Sequence, residues 1–307
     1  MCTAISLPSD AGYFFVRTLD LEYRHAEAVT LTPRRFRFSF TDGTSCSDHP
    51  ALLGMAYVRD GYPLYYDAMN EHGLCMAGLA FAHHCTYTPT DAPAAHPIAP
   101  WELIPYTLTR CRTTEEACHQ LAETALVDRP FSEELPNLPM HWIIADSTHT
   151  AVLETDDHGR LCLHDNPVGV LTNAPPFPDQ LRRLDAYSDL TPHPKPNADT
   201  GIPERGMGAH GLPGDWSSPS RFARAAFLRQ YGDVRSATDA FSLADSLKVP
   251  RGVSLNENGA PILTVYTAVM EPRAFRYLYQ TADDPAPKTV QPTALQLRGN
   301  QYIAAPI

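Results

Sequence analysis

The chain has 307 residues, of which 43% are hydrophobic and 19% charged, and its formal net charge is −11. This composition is ordinary for a globular protein, and no stretch reaches the roughly 18 consecutive apolar residues that a membrane-spanning helix needs.

The net charge of −11 excludes nucleic acid as a partner. Nucleic-acid binding requires lysine and arginine to neutralise phosphates, and the sequence contains no basic run.

The first ten residues contain neither a basic segment nor a long apolar segment, which predicts that no secretory signal is present and that the protein is cytoplasmic. Seven cysteines are widely spaced and form no CxxC pair. This spacing favours reduced, mostly buried thiols over a disulfide framework.

The N-terminal quarter of the chain has the patterns of β-strands. Thr3, Ile5 and Leu7 alternate with smaller residues, and residues 12–16 are mainly aromatic or β-branched. Segments 3–7 and 12–17 therefore predict a hairpin. Residues 34–40 alternate phenylalanine with basic or polar residues, which is the two-residue period of a strand with one face in solvent. An apolar run at 74–81 follows a predicted turn at 71–73.

The remainder of the chain mixes helices with strands. The proline-rich residues 83–100 predict a surface loop, and Thr113 with Glu116 three residues later predicts the start of a helix. Further helices are predicted at 101–108, 180–187, 217–231 and 237–247, and strands at 141–145, 151–154, 161–164, 262–270 and 274–280. No repeat or linker is evident, so we expect a single α+β domain over residues 1–307, with large sheets covered by helices.

Cys2 follows the initiator methionine, so removal of Met1 would make it the N-terminal residue. A thiol and a free α-amine on one residue supply a nucleophile and a base, because an unperturbed α-amine titrates at about 7.7 to 8.0. The alternative is an inert terminal thiol. Catalysis requires that other parts of the chain activate this nucleophile and stabilise the charge that develops in the reaction.

Arg17 and Asp20 are candidates for residues that activate and orient this nucleophile. At about 3.3 Å per residue, the predicted hairpin brings residues 17–20 back beside Cys2. Arg17 would then favour the thiolate, and Asp20 would hold or orient the protonated amine. The alternative is an ion pair at the protein surface.

Asn173 and Arg221 are two further candidates. Asn173 follows a short predicted strand, where its amide can donate to a developing oxyanion; the alternative is a helix cap. Arg221 lies in the first turn of a predicted helix, where the dipole disfavours a cation, and this position indicates an acidic partner. The glycine-rich residues 206–214 before it lack the spacing of a phosphate-binding loop.

His83, His84 and Cys85 suggest a zinc site, but adjacent residues point apart in a strand and no second ligand pair follows at a suitable spacing. We therefore expect no metal ion.

Several stretches of the chain occur in the same order as similar stretches in the sequences of a known protein family. They are residues 1–3, 17–20, 67–74, 131–136, 165–173 and 211–222. Together they strongly resemble the choloylglycine hydrolase family, the bile salt hydrolases and penicillin V acylases, from residue 2 to about residue 280. The resemblance implies an N-terminal nucleophile hydrolase fold, a four-layer αββα sandwich of two antiparallel sheets, usually assembled as a homotetramer.

The resemblance also implies roles for individual residues. The family's nucleophile matches Cys2, its site arginine and aspartate match Arg17 and Asp20, its oxyanion asparagine matches Asn173, and its second arginine matches Arg221. One position departs. Bile salt hydrolases carry asparagine and penicillin V acylases often carry tyrosine where this chain has Ala80, which retains the backbone N–H for the oxyanion hole but lacks the side chain that contacts substrate.

The activity implied is hydrolysis of a small-molecule amide, a bile acid conjugated to glycine or taurine, without a metal or organic cofactor. Residues 131–136 and 211–222 are closer to the bile salt hydrolases, whereas residues 17–20 are slightly closer to the acylases. A penicillin V or other N-acyl amide acylase is therefore the alternative. A non-catalytic small-molecule or metal-binding protein is a third hypothesis if Met1 is retained, because Met1 blocks the amine.

Overall fold

Most of the chain forms antiparallel strands in the computed structural model, which describes residues 1–91, 93 and 96–307. The strands are β1 (Cys2–Ser9), β2 (Gly12–Leu21), β3 (Ala28–Thr32), β4 (Phe38–Ser39), β5 (Ser45–Cys46), β6 (Leu52–Arg59), β7 (Tyr62–Asn70), β8 (Cys75–Ala80), β9 (Pro97–Ile98), β10 (Ala125–Leu126), β11 (Met140–Ala145), β12 (Thr150–Thr155), β13 (Leu161–Asp165), β14 (Val170–Leu171), β15 (Lys195–Pro196), β16 (Pro203–Glu204), β17 (Leu263–Glu271), β18 (Arg276–Thr281), β19 (Lys288–Val290) and β20 (Ile303–Pro306).

Helices are fewer and are grouped in two regions of the chain. They are α1 (Leu103–Leu108), α2 (Thr114–Leu121), α3 (Phe177–Leu184), α4 (Ser218–Tyr231) and α5 (Ala237–Asp245). Short 3₁₀ turns occur at Pro100–Glu102, Asp185–Tyr187, Met207–Ala209, Pro272–Ala274 and Gln296–Arg298. Helix α2 begins as predicted, because the Thr113 side chain accepts a hydrogen bond from the Glu116 backbone N–H.

Two large sheets form the centre of the fold. Within the described residues, one sheet has the strand order β14-β1-β2-β17-β18-β19, and the other has the order β13-β12-β11-β8-β7-β6-β3-β20. The pairings in both sheets are antiparallel. Helices α4 and α5 pack on the first sheet, and α1 and α2 pack on the second.

The apolar residues follow these layers. One cluster fills the space between the sheets and continues beneath α4 and α5, with Phe15, Ala77 and Phe222 among its members. A second cluster lies between the other sheet and α1 and α2, and it includes Trp142 and Leu121. The result is an αββα sandwich, which confirms the predicted α+β fold class.

The predicted N-terminal hairpin is present. Strands β1 and β2 pair from Cys2 opposite Leu19 to Ser9 opposite Gly12. This register places residues 17–20 beside the start of the chain.

The strand predicted at residues 34–40 is wrong for most of its length, since only Phe38–Ser39 pairs in a ladder. Phe36, Phe38 and Phe40 are nevertheless buried in the outer cluster. The alternation reported which side chains are buried, whereas strand formation also requires a partner for the backbone. The predicted loop at 83–100 contains the short strand β9, and its positions 92, 94 and 95 lie outside the described residues.

All seven cysteines fall within the described residues and are free thiols. Cys2, Cys75 and Cys111 are buried, and the others are half-buried. In the part of the chain that the structure describes, no helix combines the length and the hydropathy needed to cross a membrane.

Gly54 in β6 lies where two strands approach each other unusually closely. A Cβ atom at this position would lie 2.0 Å from the backbone oxygen of Asp67 and 2.5 Å from the Cα of Ala68. We expect Gly54→Ala to lower the free energy of unfolding by about 1 to 3 kcal/mol, because the two strands must separate. Urea denaturation measures this. Gly214→Ala is the matched control, since its Cβ meets nothing within 4 Å, and equal stability of the two variants would contradict the prediction.

Candidate active site

Cys2 begins β1 and is surrounded by groups from distant parts of the chain. Its backbone N–H donates to Asn173 Oδ1 at 2.8 Å, and its sulfur accepts a hydrogen bond from Arg17 Nη2 at 3.4 Å. Arg221 Nη1 donates to the Cys2 carbonyl oxygen. Cys2 is only 4% exposed, so these contacts are shielded from water and stronger than at a surface.

Arg17 points from β2 toward the second sheet. Its Nη1 donates to the backbone oxygens of Tyr66 at 3.1 Å and Gly78 at 2.7 Å. These two carbonyls hold the guanidinium so that Nη2 faces the Cys2 sulfur. The surface ion pair considered as an alternative is therefore wrong for Arg17, which is 1% exposed.

The charge on Arg17 is maintained despite its burial. Desolvation lowers the pKa of Arg17, but its neighbours Tyr266, Cys2 and Asp67 outweigh this effect, and the pKa lies above its ordinary value. Arg17 Nε lies 3.5 Å from Asp67 Oδ2. A positive charge therefore lies next to the sulfur.

Asp67 is a fully buried carboxylate behind Arg17. It accepts hydrogen bonds from the hydroxyls of Tyr266 at 2.5 Å and Tyr277 at 2.8 Å. Burial raises the pKa of Asp67, and Arg17 and the two tyrosines oppose this rise only in part. The carboxylate links Arg17 to β17 and β18 and so fixes the arginine from behind.

Arg221 extends from α4 to the start of β1 and is also fully buried. It donates to Thr3 Oγ1 at 2.7 Å, to Asn173 Oδ1 at 2.7 Å and to the Trp216 backbone oxygen at 3.0 Å. Its hydrogen-bond acceptors are neutral oxygens, and the acidic partner predicted nearby is Asp20, which acts on Arg221 through its charge. Burial lowers the pKa of Arg221, and the negative charge of Asp20 opposes this effect.

Asn173 connects the two sides of the site. Its Oδ1 accepts from Cys2 and Arg221, and its Nδ2 donates to the Ala80 backbone oxygen at 2.8 Å. A side-chain amide has two N–H groups, so one remains for a ligand. The helix cap considered as an alternative is wrong, since α3 begins only at Phe177 with Pro176 at its N-cap.

Asp20 is fully buried, and its backbone pairs with Met1. The Met1 amine donates to the Asp20 backbone oxygen at 2.6 Å, and the Asp20 N–H donates to the Met1 oxygen at 2.8 Å. The carboxylate accepts from Thr264 through Oδ1, whereas Oδ2 has no hydrogen-bond partner among the described residues. In the chain that retains Met1, the amine therefore contacts the Asp20 backbone and not its carboxylate.

An apolar cavity of about 200 Å³ lies near Ala80, the exposed last residue of β8. Its lining includes Met140, which pairs with Ala80, and Tyr66 and Gly78, whose carbonyls hold Arg17. Other lining residues are aromatic or aliphatic, namely Tyr57, Leu64, Tyr65, Trp101, Ile104, Phe131, Leu135, Leu138 and Trp142. The cavity suits the apolar part of a substrate.

His83, His84 and Cys85 do not converge. The His84 ring lies 5.4 Å from the Phe81 ring, and Cys85 Sγ accepts a hydrogen bond from Thr155. Within the described residues, no group of three or more histidine, cysteine or acidic side chains is placed to hold a metal ion.

Sequence reasoning missed four polar residues that contact the site, which are Thr3, Asp67, His141 and Ser218. Thr3, Asp67 and Ser218 lie in stretches that resemble the family, but their contacts at the site had no signal in the sequence. The four residues lie far from one another along the chain, and only the fold brings them together.

Comparison with known proteins places the whole chain in one group. Residues 2–304 match the family model of linear amide C–N hydrolases, choloylglycine hydrolase family. The chain is 37% identical to the bile salt hydrolase/transferase of Lactiplantibacillus plantarum, with 100% of this chain and 97% of the relative covered.

Solved structures agree with this match. A cysteine-to-alanine variant of conjugated bile acid hydrolase from Clostridium perfringens superposes with a TM-score of 0.92 at 30% identity, covering 100% of this chain and 97% of that one. Penicillin V acylase from Agrobacterium tumefaciens has a TM-score of 0.78 at 19% identity, with 99% and 90% covered. The second likeness concerns the fold alone.

The start of α4 generates a prediction on pH dependence. Hydrogen bonds from Ser217 and Ser220 lower the pKa of Asp215 to about 2. Because the folded-state pKa is depressed, the carboxylate stabilises the fold above its unfolded value of about 3.9, and this stabilisation is lost as the pH falls toward 2. We expect Asp215→Asn to cost at most about 1 kcal/mol at pH 7, since Asp215 is exposed to screening solvent.

Urea denaturation of the wild type and of Asp215→Asn between pH 7 and pH 2 measures this effect. The difference between the two should shrink below pH 4. A difference that stays constant over this range would contradict the assigned cause.

Proposed function

Since the chain belongs to the choloylglycine hydrolase family of linear amide C–N hydrolases, we propose that it hydrolyses bile acids conjugated to glycine or taurine, with Cys2 as the nucleophile. The observation that carries this proposal is the convergence of Arg17, Asn173 and Arg221 on Cys2. Relatives and a structural neighbour named for bile salts, at 30% and 37% identity over the whole chain, support the substrate.

Removal of Met1 is the first requirement. In the unprocessed chain the Cys2 nitrogen belongs to a peptide bond and cannot accept a proton. Removal frees an α-amine on the residue that carries the thiol, and it also breaks the pairing of Met1 with the Asp20 backbone. The freed amine then lies at the start of β1, where the Cys2 nitrogen donates to Asn173 Oδ1. Asp20 follows Leu19, the residue opposite Cys2, and its carboxylate Oδ2 is buried without a hydrogen bond among the described residues.

The first half of the reaction forms a thioester. The thiol proton passes to the α-amine, the sulfur attacks the amide carbonyl carbon, and a carbon–sulfur bond forms. The negative charge on the carbonyl oxygen is stabilised by the free N–H of Asn173 Nδ2 and by the backbone N–H of Ala80. When the tetrahedral intermediate collapses, the carbon–nitrogen bond breaks, and the protonated α-amine supplies the proton to the departing glycine or taurine nitrogen.

The second half hydrolyses the thioester. The α-amine, now neutral, takes a proton from water, the resulting hydroxide attacks the thioester carbonyl, and the carbon–sulfur bond breaks. The proton returns to the sulfur, and the free bile acid leaves as a carboxylic acid. The reaction needs no cofactor, since the chain supplies the nucleophile, base and oxyanion donors.

The arginines have different roles in this scheme. Arg17 lies 3.4 Å from the sulfur and favours negative charge there. Arg221 contacts the Cys2 carbonyl, Thr3 and Asn173. It therefore aligns the nucleophile with the oxyanion donor but does not touch the sulfur.

The apolar cavity beside Ala80 would receive part of the steroid. Ala80 places no polar side chain at this position, so we expect its backbone to serve the oxyanion while the neighbouring apolar residues determine which acyl group binds. This departure from the family pattern makes penicillin V the comparison substrate in any assay.

The proposal extends to assembly and location. We expect a homotetramer in the cytoplasm, on the basis of the family resemblance. A monomeric mass by light scattering would contradict the assembly.

The requirement for a free Cys2 amine can be tested directly. We expect the purified active protein to be lighter than the full sequence by one methionine, and we expect Cys2→Ala to be inactive toward glycocholate, taurocholate and penicillin V. Mass spectrometry and assays of released amine measure this. Insertion of one glycine between Met1 and Cys2 is the control, because it keeps the thiol but moves the free amine to another residue. Activity in Cys2→Ala would overturn the proposal.

Asn173 provides a graded test. We expect Asn173→Ala to lower kcat by about 100- to 1,000-fold, the usual loss for one oxyanion donor, without abolishing activity. Steady-state kinetics measures this loss. Asn258→Ala, at an exposed position, is the control and should match the wild type. A loss of less than about tenfold would argue against Asn173 as an oxyanion donor.

A further inference from the structure

His141 is a fully buried histidine in β11 that the proposed reaction does not use. Both of its ring nitrogens face oxygen atoms. Nε2 lies 2.8 Å from the Thr172 backbone oxygen, and Nδ1 lies 3.1 Å from Glu154 Oε1. Because a carbonyl oxygen can only accept, Nε2 carries a hydrogen and donates it to Thr172.

The Thr172 carbonyl belongs to the same peptide unit as the Asn173 N–H. That N–H donates to Ser218 Oγ at 2.9 Å. The peptide plane before Asn173 is therefore held at its oxygen by His141 and at its nitrogen by Ser218. Since a peptide unit is planar and rigid, this clamp fixes the direction in which the Asn173 side chain leaves the backbone.

The same imidazole reaches the other side of the oxyanion hole. Its ring stacks on Phe81, with centroids 4.2 Å apart and an interplanar angle of 8°. Phe81 follows Ala80 directly, and its backbone N–H donates to the Pro139 oxygen at 2.8 Å. One buried ring therefore contacts the neighbours of both oxyanion donors, Ala80 and Asn173.

Glu154 braces the imidazole from behind. It is 5% exposed, and its carboxylate also accepts the Phe177 backbone N–H at 3.0 Å. The ring is therefore held at both nitrogens, by the Glu154 carboxylate at Nδ1 and by the Thr172 carbonyl at Nε2, and this fixes its orientation.

We propose that His141, braced by Glu154, is a positioning residue that fixes the distance between the two oxyanion donors, an inference that rests on the proposed function. It touches neither the substrate nor the sulfur. It acts through the Thr172–Asn173 peptide on one side and through Phe81 on the other. Because an oxyanion hole works by holding donors in place before charge develops, loss of the clamp lowers kcat more than it changes KM.

His141→Phe is the discriminating variant, because it keeps an aromatic ring against Phe81 but removes the donor to Thr172. We expect kcat to fall by about 10- to 100-fold, less than for full loss of an oxyanion donor, while KM changes by less than about threefold. Both constants are measured by steady-state kinetics, and kcat is expressed per active site, with the sites counted by alkylation of Cys2. This counting separates a kinetic effect from a loss of folded protein.

His49→Phe is the matched control. His49 is also buried, and its two ring nitrogens lie 2.8 Å from the backbone oxygens of Pro50 and Phe36. It makes no contact with the oxyanion donors, so its replacement should lower stability but leave kcat per site unchanged. An equal fall in kcat for both variants, or a wild-type kcat in His141→Phe, overturns the inference.

Glu154 supplies the conservative comparison. Glu154→Gln keeps an acceptor for the Phe177 N–H and provides an N–H for Nδ1, whereas Glu154→Leu provides neither. We expect the glutamine variant to keep a kcat several-fold above that of the leucine variant, by the same positioning argument. Equal kcat in the two variants would overturn the bracing role.

Crystal structures of both histidine variants give a readout that needs no turnover. In His141→Phe we expect Asn173 Nδ2 to leave the Ala80 oxygen, from which it now lies 2.8 Å, and in His49→Phe we expect it to stay. An Asn173 side chain that does not move in His141→Phe overturns the inference whatever the activity. A wild type that hydrolyses none of the three substrates would overturn the proposed function, and the structures would still decide this inference.

Discussion

The antiparallel pairing of β1 with β2 is the constraint on which the site depends. Successive side chains of a strand point to opposite faces, so the register that sets Cys2 opposite Leu19 also sets Ala4 opposite Arg17. Cys2 and Arg17 therefore meet in the space between the two sheets, whereas Thr3 faces α4 and reaches Arg221. A slip of one residue would exchange the two faces and separate the sulfur from its arginine.

Two buried cations, Arg17 within this hairpin and Arg221 on α4, are held mostly by neutral oxygens. Arg17 donates to the Tyr66 and Gly78 carbonyls, and Arg221 donates to the Cys2 and Trp216 carbonyls. Burying a guanidinium is costly unless its hydrogen bonds are satisfied. Carbonyl acceptors satisfy these bonds without cancelling the charge, so a positive potential remains near the sulfur and the oxyanion donors, where the proposed reaction develops negative charge.

The fold and the family were accessible from sequence, because both rest on patterns that are local or ordered along the chain. Thr113 with Glu116 predicted the start of α2, and residues 3–7 and 12–17 predicted the first hairpin. Residues 34–40 were less informative. Their phenylalanines are buried as the alternation required, yet most of the segment has no strand partner, since alternation reports burial and not backbone pairing.

By itself the sequence determined the αββα sandwich, the family, and the candidates Cys2, Arg17, Asp20, Asn173 and Arg221, because these residue types occur in a recognisable order. Only the tertiary structure decided what each one touches. Asp67 contacts Arg17, and His141 holds the peptide before Asn173, although each pair is far apart in the chain. No local sequence pattern encodes such a contact. The position of Met1 was decided in the same way, since only the fold shows that its amine pairs with the Asp20 backbone oxygen while the Cys2 N–H donates to Asn173.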